Sequence, residues 1–195
     1  VFAILAGTAS ILGEETQGTL DILLAHPTSR VRLVSAKLAG LAIANGIVVI
    51  ILLAIFFATL AFMDIDVKIG RTLVAFILLW PYLTAISFLS VLLSLILSSR
   101  LFAGTVMAVL IVASFTLDSL ANLEAGLEPL RPIYLTTYYQ GGNALGSEIS
   151  WTYTAGLLGI LFVTLSLNIW LFVRRDIAVH RPISIHNRLM SVIRR

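Results

Sequence analysis

The chain has 195 residues, 59% of them hydrophobic and 12% charged, with a formal net charge of +3 and a mean hydropathy of +1.02. A soluble domain carries about twice that share of charge, and a chain this short cannot bury so much apolar surface inside itself, so a water-solvated globule is excluded and lipid must surround much of it. The chain contains no cysteine, which removes disulfides, thiolate chemistry and Cys-ligated metals from consideration.

The first apolar stretch, Val1–Gly13, is about 13 residues long and cannot span roughly 30 Å of hydrocarbon. It lacks the basic start and the cleavage site of a signal peptide, and Glu14-Glu15 follows it. It reads as the end of a helix whose beginning lies before Val1, so the sequence is expected to be a fragment. Four long uncharged runs come next: Leu38–Met63, Thr72–Ser99, Leu101–Leu117 and Trp151–Val173. At about 26, 28, 17 and 23 residues they meet or approach the length a membrane helix needs. Only Arg100 separates the second run from the third, and no bilayer is thick enough for both as one helix, so the chain must turn near Ser98-Ser99-Arg100.

Charge sets the expected direction. If the Glu14–Lys37 segment is cytoplasmic and each run crosses once, Arg30, Arg32, Lys37, Arg100, Arg174, Arg175, Arg181, Arg188, Arg194 and Arg195 lie inside, and only Lys68, Arg71 and Arg131 lie outside. The reverse orientation inverts this positive-inside bias. Asp64, Asp66, Asp118, Glu124, Glu128 and Glu148 then fall on the outer side. Residues 122–150 form the long extracytoplasmic segment, with Pro129, Pro132, Gly141 and Gly142 as helix breakers and Tyr134, Tyr138 and Tyr139 suited to a headgroup zone. Short interfacial or re-entrant helices and a plain loop both fit it. The basic tail, 174–195, carries an apolar face of Ile185, Leu189, Val192 and Ile193; it reads either as a helix on the anionic inner leaflet or as a stop-transfer anchor with a disordered end.

The most informative stretch is 14–30, between the first apolar segment and the first complete run. Thr19 can cap a short helix, and Asp21 sits in its first turn, where the helix dipole favours an acid. Leu20, Leu23 and Leu24 make one apolar face, and Pro27 ends the helix at His26. Thr28 or Ser29 can cap the following helix, which runs through Lys37 into the membrane. An interfacial connector and a docking element are both open readings of this knob flanked by Glu14, Glu15 and Arg30.

The order EE-x-x-GTL-x-x-LL-x-x-P-x-SR-x-x-L-x-x-x-K, carried by Glu14, Glu15, Gly18, Thr19, Leu20, Leu23, Leu24, Pro27, Ser29, Arg30, Leu33 and Lys37, resembles the cytoplasmic loop of ABC-2 type permeases. These are the membrane subunits of ATP-driven ABC transporters. Ala36 stands where the family usually has Gly before the Lys. Phe172-Val173-Arg174-Arg175-Asp176-Ile177 resembles the close of the family's last helix, and Tyr138-Tyr139-Gln140-Gly141-Gly142-Asn143 the outer segment before it. The resemblance implies an all-α, polytopic membrane helical bundle: residues 1–195 as a single transmembrane domain with four complete spans and the end of an earlier one. It implies six helices per subunit, with the first and most of the second lying outside this sequence. It also implies that segment 14–30 is a coupling helix seated on an ATPase subunit, with Glu14, Glu15, Gly18, Thr19, Leu20, Leu23, Leu24 and Arg30 as the coupling residues. The expected partners are an ABC ATPase subunit, a second permease subunit in a homo- or heterodimer, and membrane lipid, with no nucleic acid. The expected location is a prokaryotic cytoplasmic membrane, with residues 14–37 and the C-terminus inside.

Within the runs, Thr84, Ser87, Ser90, Ser94 and Ser98 recur at spacings of three and four, within an arc of roughly 120° on a helix. Small hydroxyl residues let helices approach closely, and packing is the simpler reading; lining of a translocation path is the sharper one. Asn45 and Asn168 are expected to hydrogen-bond neighbouring helices. Gly40 with Ala44, and Ala42 with Gly46, give small-xxx-small spacing for helix packing, and Pro81 is placed to kink the second run. His26, His180 and His186 stand alone in polar segments and read as loop residues rather than ligands or bases.

No GxxxxGK[ST] loop occurs, so ATP hydrolysis is expected in a partner chain. No catalytic residue, cofactor or metal site is expected. The uncharged runs disfavour an ion-coupled carrier, which usually needs an ionisable group near the midplane. The expectation is therefore the permease subunit of an ABC-2 type exporter. A non-transporting assembly or sensor protein is the main alternative and a secondary carrier the lesser one. Nothing in the sequence selects a substrate.

Overall fold

A computed structural model describes residues 1–10, 30–63, 68–97, 99–121, 134–140 and 151–174. Among these residues there are six helices and no strand: α1 Phe2–Ser10, α2 Arg30–Met63, α3 Ile69–Leu97, α4 Arg100–Ala121, α5 Leu135–Gln140 and α6 Trp151–Arg174. The four apolar runs are the four long helices, and each holds a window long and apolar enough to cross a membrane. The fold is thus an all-α membrane bundle. These helices are apolar all round rather than along one stripe, as segments solvated by lipid are. The second and third runs are separate helices, α3 ending at Leu97 and α4 starting at Arg100. Ser99 caps α4, its side-chain oxygen accepting from the Phe102 amide at 3.5 Å and its carbonyl from the Ala103 amide at 2.9 Å.

Helix α3 is the axis of the bundle. It packs on α1, α2, α4 and α6 and touches α5. In its most apolar window 44% of the residues are buried, against 17%, 17% and 22% for α2, α4 and α6. One core cluster joins Val34, Leu38 and Leu41 of α2 to Phe88, Val91 and Leu95 of α3 and Phe172 of α6. It also settles relative direction: the start of α2 and the ends of α3 and α6 share one end of the bundle, the end that carries Arg32, Lys37 and Arg174. A second cluster on another flank of α3 joins Ala3 and Ile4 of α1, Ile86 of α3 and Met107 of α4. At the shared end the Arg174 guanidinium lies 4.2 Å from the centre of the Trp170 ring, a cation–π pair one helical turn apart that suits a membrane–water boundary.

Two boundaries differ from the apolar runs. Helix α2 begins at Arg30, two turns before the uncharged run starts at Leu38, and Val34 within those turns belongs to the core. Helix α4 continues through Asp118 to Ala121, and Asp118 is buried, at 4% exposure. The helix thus extends one turn past the uncharged run Leu101–Leu117 and takes in Asp118. A hydropathy run stops at the first charge, whereas a helix stops only where its backbone bonds do.

Candidate functional site

The expected coupling residues Glu14, Glu15, Gly18, Thr19, Leu20, Leu23 and Leu24 lie outside the described residues. Arg30 is the first residue of α2. The structure does describe the two helices that this segment joins, and they meet at one hydroxyl. Asn45 of α2 donates from Nδ2 to Ser87 Oγ at 2.9 Å, and Ser87 Oγ donates onward to the Ala3 carbonyl of α1 at 3.1 Å. Asn45 and Ser87 are fully buried. The contact is close because α1 carries glycine there: a Cβ at Gly7 would stand 2.6 Å from the Ser87 carbonyl oxygen and 2.8 Å from Ser90 Cβ. On another face of α3, Asn168 of α6 donates to the Phe88 carbonyl at 2.9 Å and to its own Thr164 carbonyl at 2.8 Å. Consecutive residues of α3 therefore tie α1, α2 and α6 together, as expected of amides in a hydrocarbon-solvated bundle.

The hydroxyl stripe of α3 belongs to this seam. Thr84, Ser87, Ser90 and Ser94 are each 2% exposed or less; Ser98 lies outside the described residues. Thr84 Oγ1 donates to the Trp80 carbonyl at 2.8 Å, Ser90 Oγ to the Ile86 carbonyl at 2.8 Å and Ser94 Oγ to the Val91 carbonyl at 2.7 Å. These hydroxyls are spent within α3, leaving small apolar-like faces for neighbouring helices. The buried Oδ1 atoms of Asn45 and Asn168 have no hydrogen-bond partner among the described residues.

A second polar cluster, which the sequence reading missed, lies at the opposite end of α4. Thr137 of α5 donates to Asp118 Oδ1 at 2.6 Å. The Thr136 amide donates to Ser114 Oγ at 3.2 Å, and the two hydroxyls of Ser114 and Thr136 lie 3.0 Å apart. Tyr139 stacks on Tyr82 of α3 with ring centres 5.0 Å apart, and Tyr138 meets Tyr153 of α6 edge-on at 6.4 Å. Burial, and after it the neighbouring Tyr82 phenol, holds the Tyr139 phenol above its ordinary pKa. The Tyr139 phenol is therefore neutral at physiological pH, and the pair is held by stacking rather than charge. Gly156 provides the notch for Tyr138, since a Cβ there would stand 2.5 Å from the ring. The signal available in the sequence was Ser114 and Asp118 at i, i+4, one face of a helix, opposite the Thr136-Thr137 pair.

Among the described residues, open grooves flank the bundle, two of them well defined. The larger, ≈ 640 Å³, runs between α1 and α4 and is lined by Val1, Ile4, Leu5, Thr8, Leu101, Gly104, Thr105 and Ala108. Its two threonines bond back to carbonyls of their own helices, so it offers an apolar wall. The smaller, ≈ 280 Å³, lies between α2 and α3 around Gly46, Phe76 and Trp80. Among the described residues no group of His, Cys, Asp or Glu is arranged to hold a metal.

Residues 1–177 match the family whose description is ABC-2 family transporter protein. Neither a curated protein nor a solved structure matches the chain.

Proposed function

The chain belongs to the ABC-2 transporter family, and on that premise we propose that it is the permease subunit of an ATP-driven exporter, paired with a second permease subunit and served by separate ATPase subunits in a prokaryotic cytoplasmic membrane. The Arg30, Arg100 and Arg174 end of the bundle is the cytoplasmic end in this reading, because the basic residues gather there. ATP binding moves the ATPase, segment 14–30 carries that motion, and the spans exchange between two packings.

The observation that carries the reading is the meeting of α1 and α2 at Ser87. Any force on the segment joining these helices reaches both Ala3 and Asn45, and both are bonded to the same hydroxyl of the central helix. The helices on either side of segment 14–30 thereby share one contact on the bundle's axis. The burial of Thr84, Ser87, Ser90 and Ser94, the bonds of Thr84, Ser90 and Ser94 within α3 and those of Ser87 to α1 and α2 favour the packing role for the stripe over a path lining.

The test is a pair of substitutions in the segment. Leu23→Asp removes the apolar knob and Gly18→Trp blocks close approach of a partner. Each is expected to leave membrane insertion intact while ATP hydrolysis by the co-purified partner no longer responds to transport. Normal coupling in both variants, or purification without any ATP-binding partner, would refute the assignment. The second result would point to an assembly or sensor protein.

A further inference from the structure

We propose that α5 is a strap that sets the spacing between the end of α4 and the start of α6. Among the described residues α4 and α6 are not packed against each other, whereas α5 packs on both and touches α3. The chain that joins α5 to α4 on one side and to α6 on the other has a contour length of about 30 Å or more each time. Connectivity therefore does not place α5; its side chains do.

Four consecutive residues of α5 go to three different helices. Thr136 meets Ser114 of α4, hydroxyl to hydroxyl, at 3.0 Å, and Thr137 donates to Asp118 of α4 at 2.6 Å. Tyr138 fills the Gly156 notch of α6 and meets the Tyr153 ring edge-on. Tyr139 stacks on Tyr82 of α3. Consecutive helical residues point about 100° apart, so four in a row face right round the helix and α5 is gripped from several sides. Leu135 adds an apolar contact with the cluster that joins α1, α3 and α4. The grip is of two kinds. Toward α4 it is polar and buried: Thr137 and Asp118 are 3% and 4% exposed, and separating them leaves a buried carboxyl without its donor. Toward α6 it is steric, a ring seated where no Cβ stands. Each half fixes α5 to one long helix, and together they fix α4 to α6.

This inference does not rest on the transport reading, and its test reads structure alone. The chain has no cysteine, so introduced cysteine pairs can be spin-labelled without background in the whole protein in lipid nanodiscs. Ser119 with Thr152 reports the spacing of α4 and α6 near α5, and Leu101 with Val173 reports it at their other ends; all four positions are exposed. The strap is cut in two separate variants: Thr136→Val with Thr137→Val on the α4 side, and Tyr138→Ala on the α6 side. Each is expected to broaden the Ser119–Thr152 distance distribution about twofold while leaving Leu101–Val173 unchanged. Both cuts together should broaden it no more than the stronger one alone, because a strap cut once carries nothing. A Ser119–Thr152 width unchanged by either cut would make α5 a passenger and overturn the strap. Broadening that adds up over the two cuts, or that affects both labelled pairs alike, would overturn it as well, since the contacts would then act separately or loosen the whole bundle.

Discussion

At Ser87 a single hydroxyl both accepts from α2 and donates to α1, and that economy depends on Gly7 facing it without a side chain. The neighbour at Gly7 is backbone, which cannot step aside. Gly7→Ala is therefore expected to cost about 1–3 kcal/mol of bundle stability by overpacking, read as a lowered melting temperature in detergent. Gly40→Ala is the control: nothing lies within 4 Å of a Cβ there, and helix propensity makes the change neutral or stabilising by up to about 1 kcal/mol. Equal destabilisation by both would show that the Gly7 contact is not special. The same crowding governs the stripe. Ser90→Leu with Ser94→Leu should lower thermal stability and the yield of folded protein, since both sites are fully buried. A double variant that folds at wild-type stability but fails to transport would instead restore the path-lining reading.

Among the elements, α5 is the one attached most by side chains. It is six residues long, too short to be stable alone, and is kept by the bond to Asp118, the Ser114–Thr136 contacts and the Tyr82–Tyr139 stack. Gly156→Ala would push a methyl into the Tyr138 ring, and a cost of about 1–3 kcal/mol is expected to fall largely on α5. Amide hydrogen exchange at residues 135–140 should then accelerate about tenfold or more while exchange in α3 is unchanged. Protection unchanged at α5 would mean that the Tyr138 ring simply rotates away. Asp118 adds a contrast with the long helices: a buried acid is tolerated here because a hydroxyl donates to it and because it stands in the last turns of α4 rather than at the middle of a span.

For the whole molecule, the prediction concerns sidedness. The core cluster that includes Val34, Leu95 and Phe172 brings the basic ends of α2 and α6 together, so orientation is one choice for the entire bundle. Single cysteines at the exposed positions Ala36 and Gly70 should differ in intact cells. Gly70→Cys is expected to react with a membrane-impermeant maleimide, and Ala36→Cys only after the membrane is permeabilised. The opposite pattern would invert the topology and place segment 14–30 out of reach of ATP.

The four long helices, their approximate ends and the break between the second and third runs were readable in the sequence, because apolar length is a local property and hydrocarbon thickness is a fixed ruler. So was the family, through the Glu14–Lys37 pattern and the Phe172–Ile177 close. The packing order was not. All four spans are apolar all round, so no stripe marks which helix lies at the centre or which face of α3 meets α1. That was decided by glycine notches and amide bonds between residues 42, 80 and 84 positions apart, contacts to which no local pattern points. The docking of α5 and the burial of Asp118 were hidden for the same reason. In lipid the hydrophobic effect places helices across the membrane but does not choose between their faces. The choice falls to close packing and a few polar bonds, and those exist only once the helices have met.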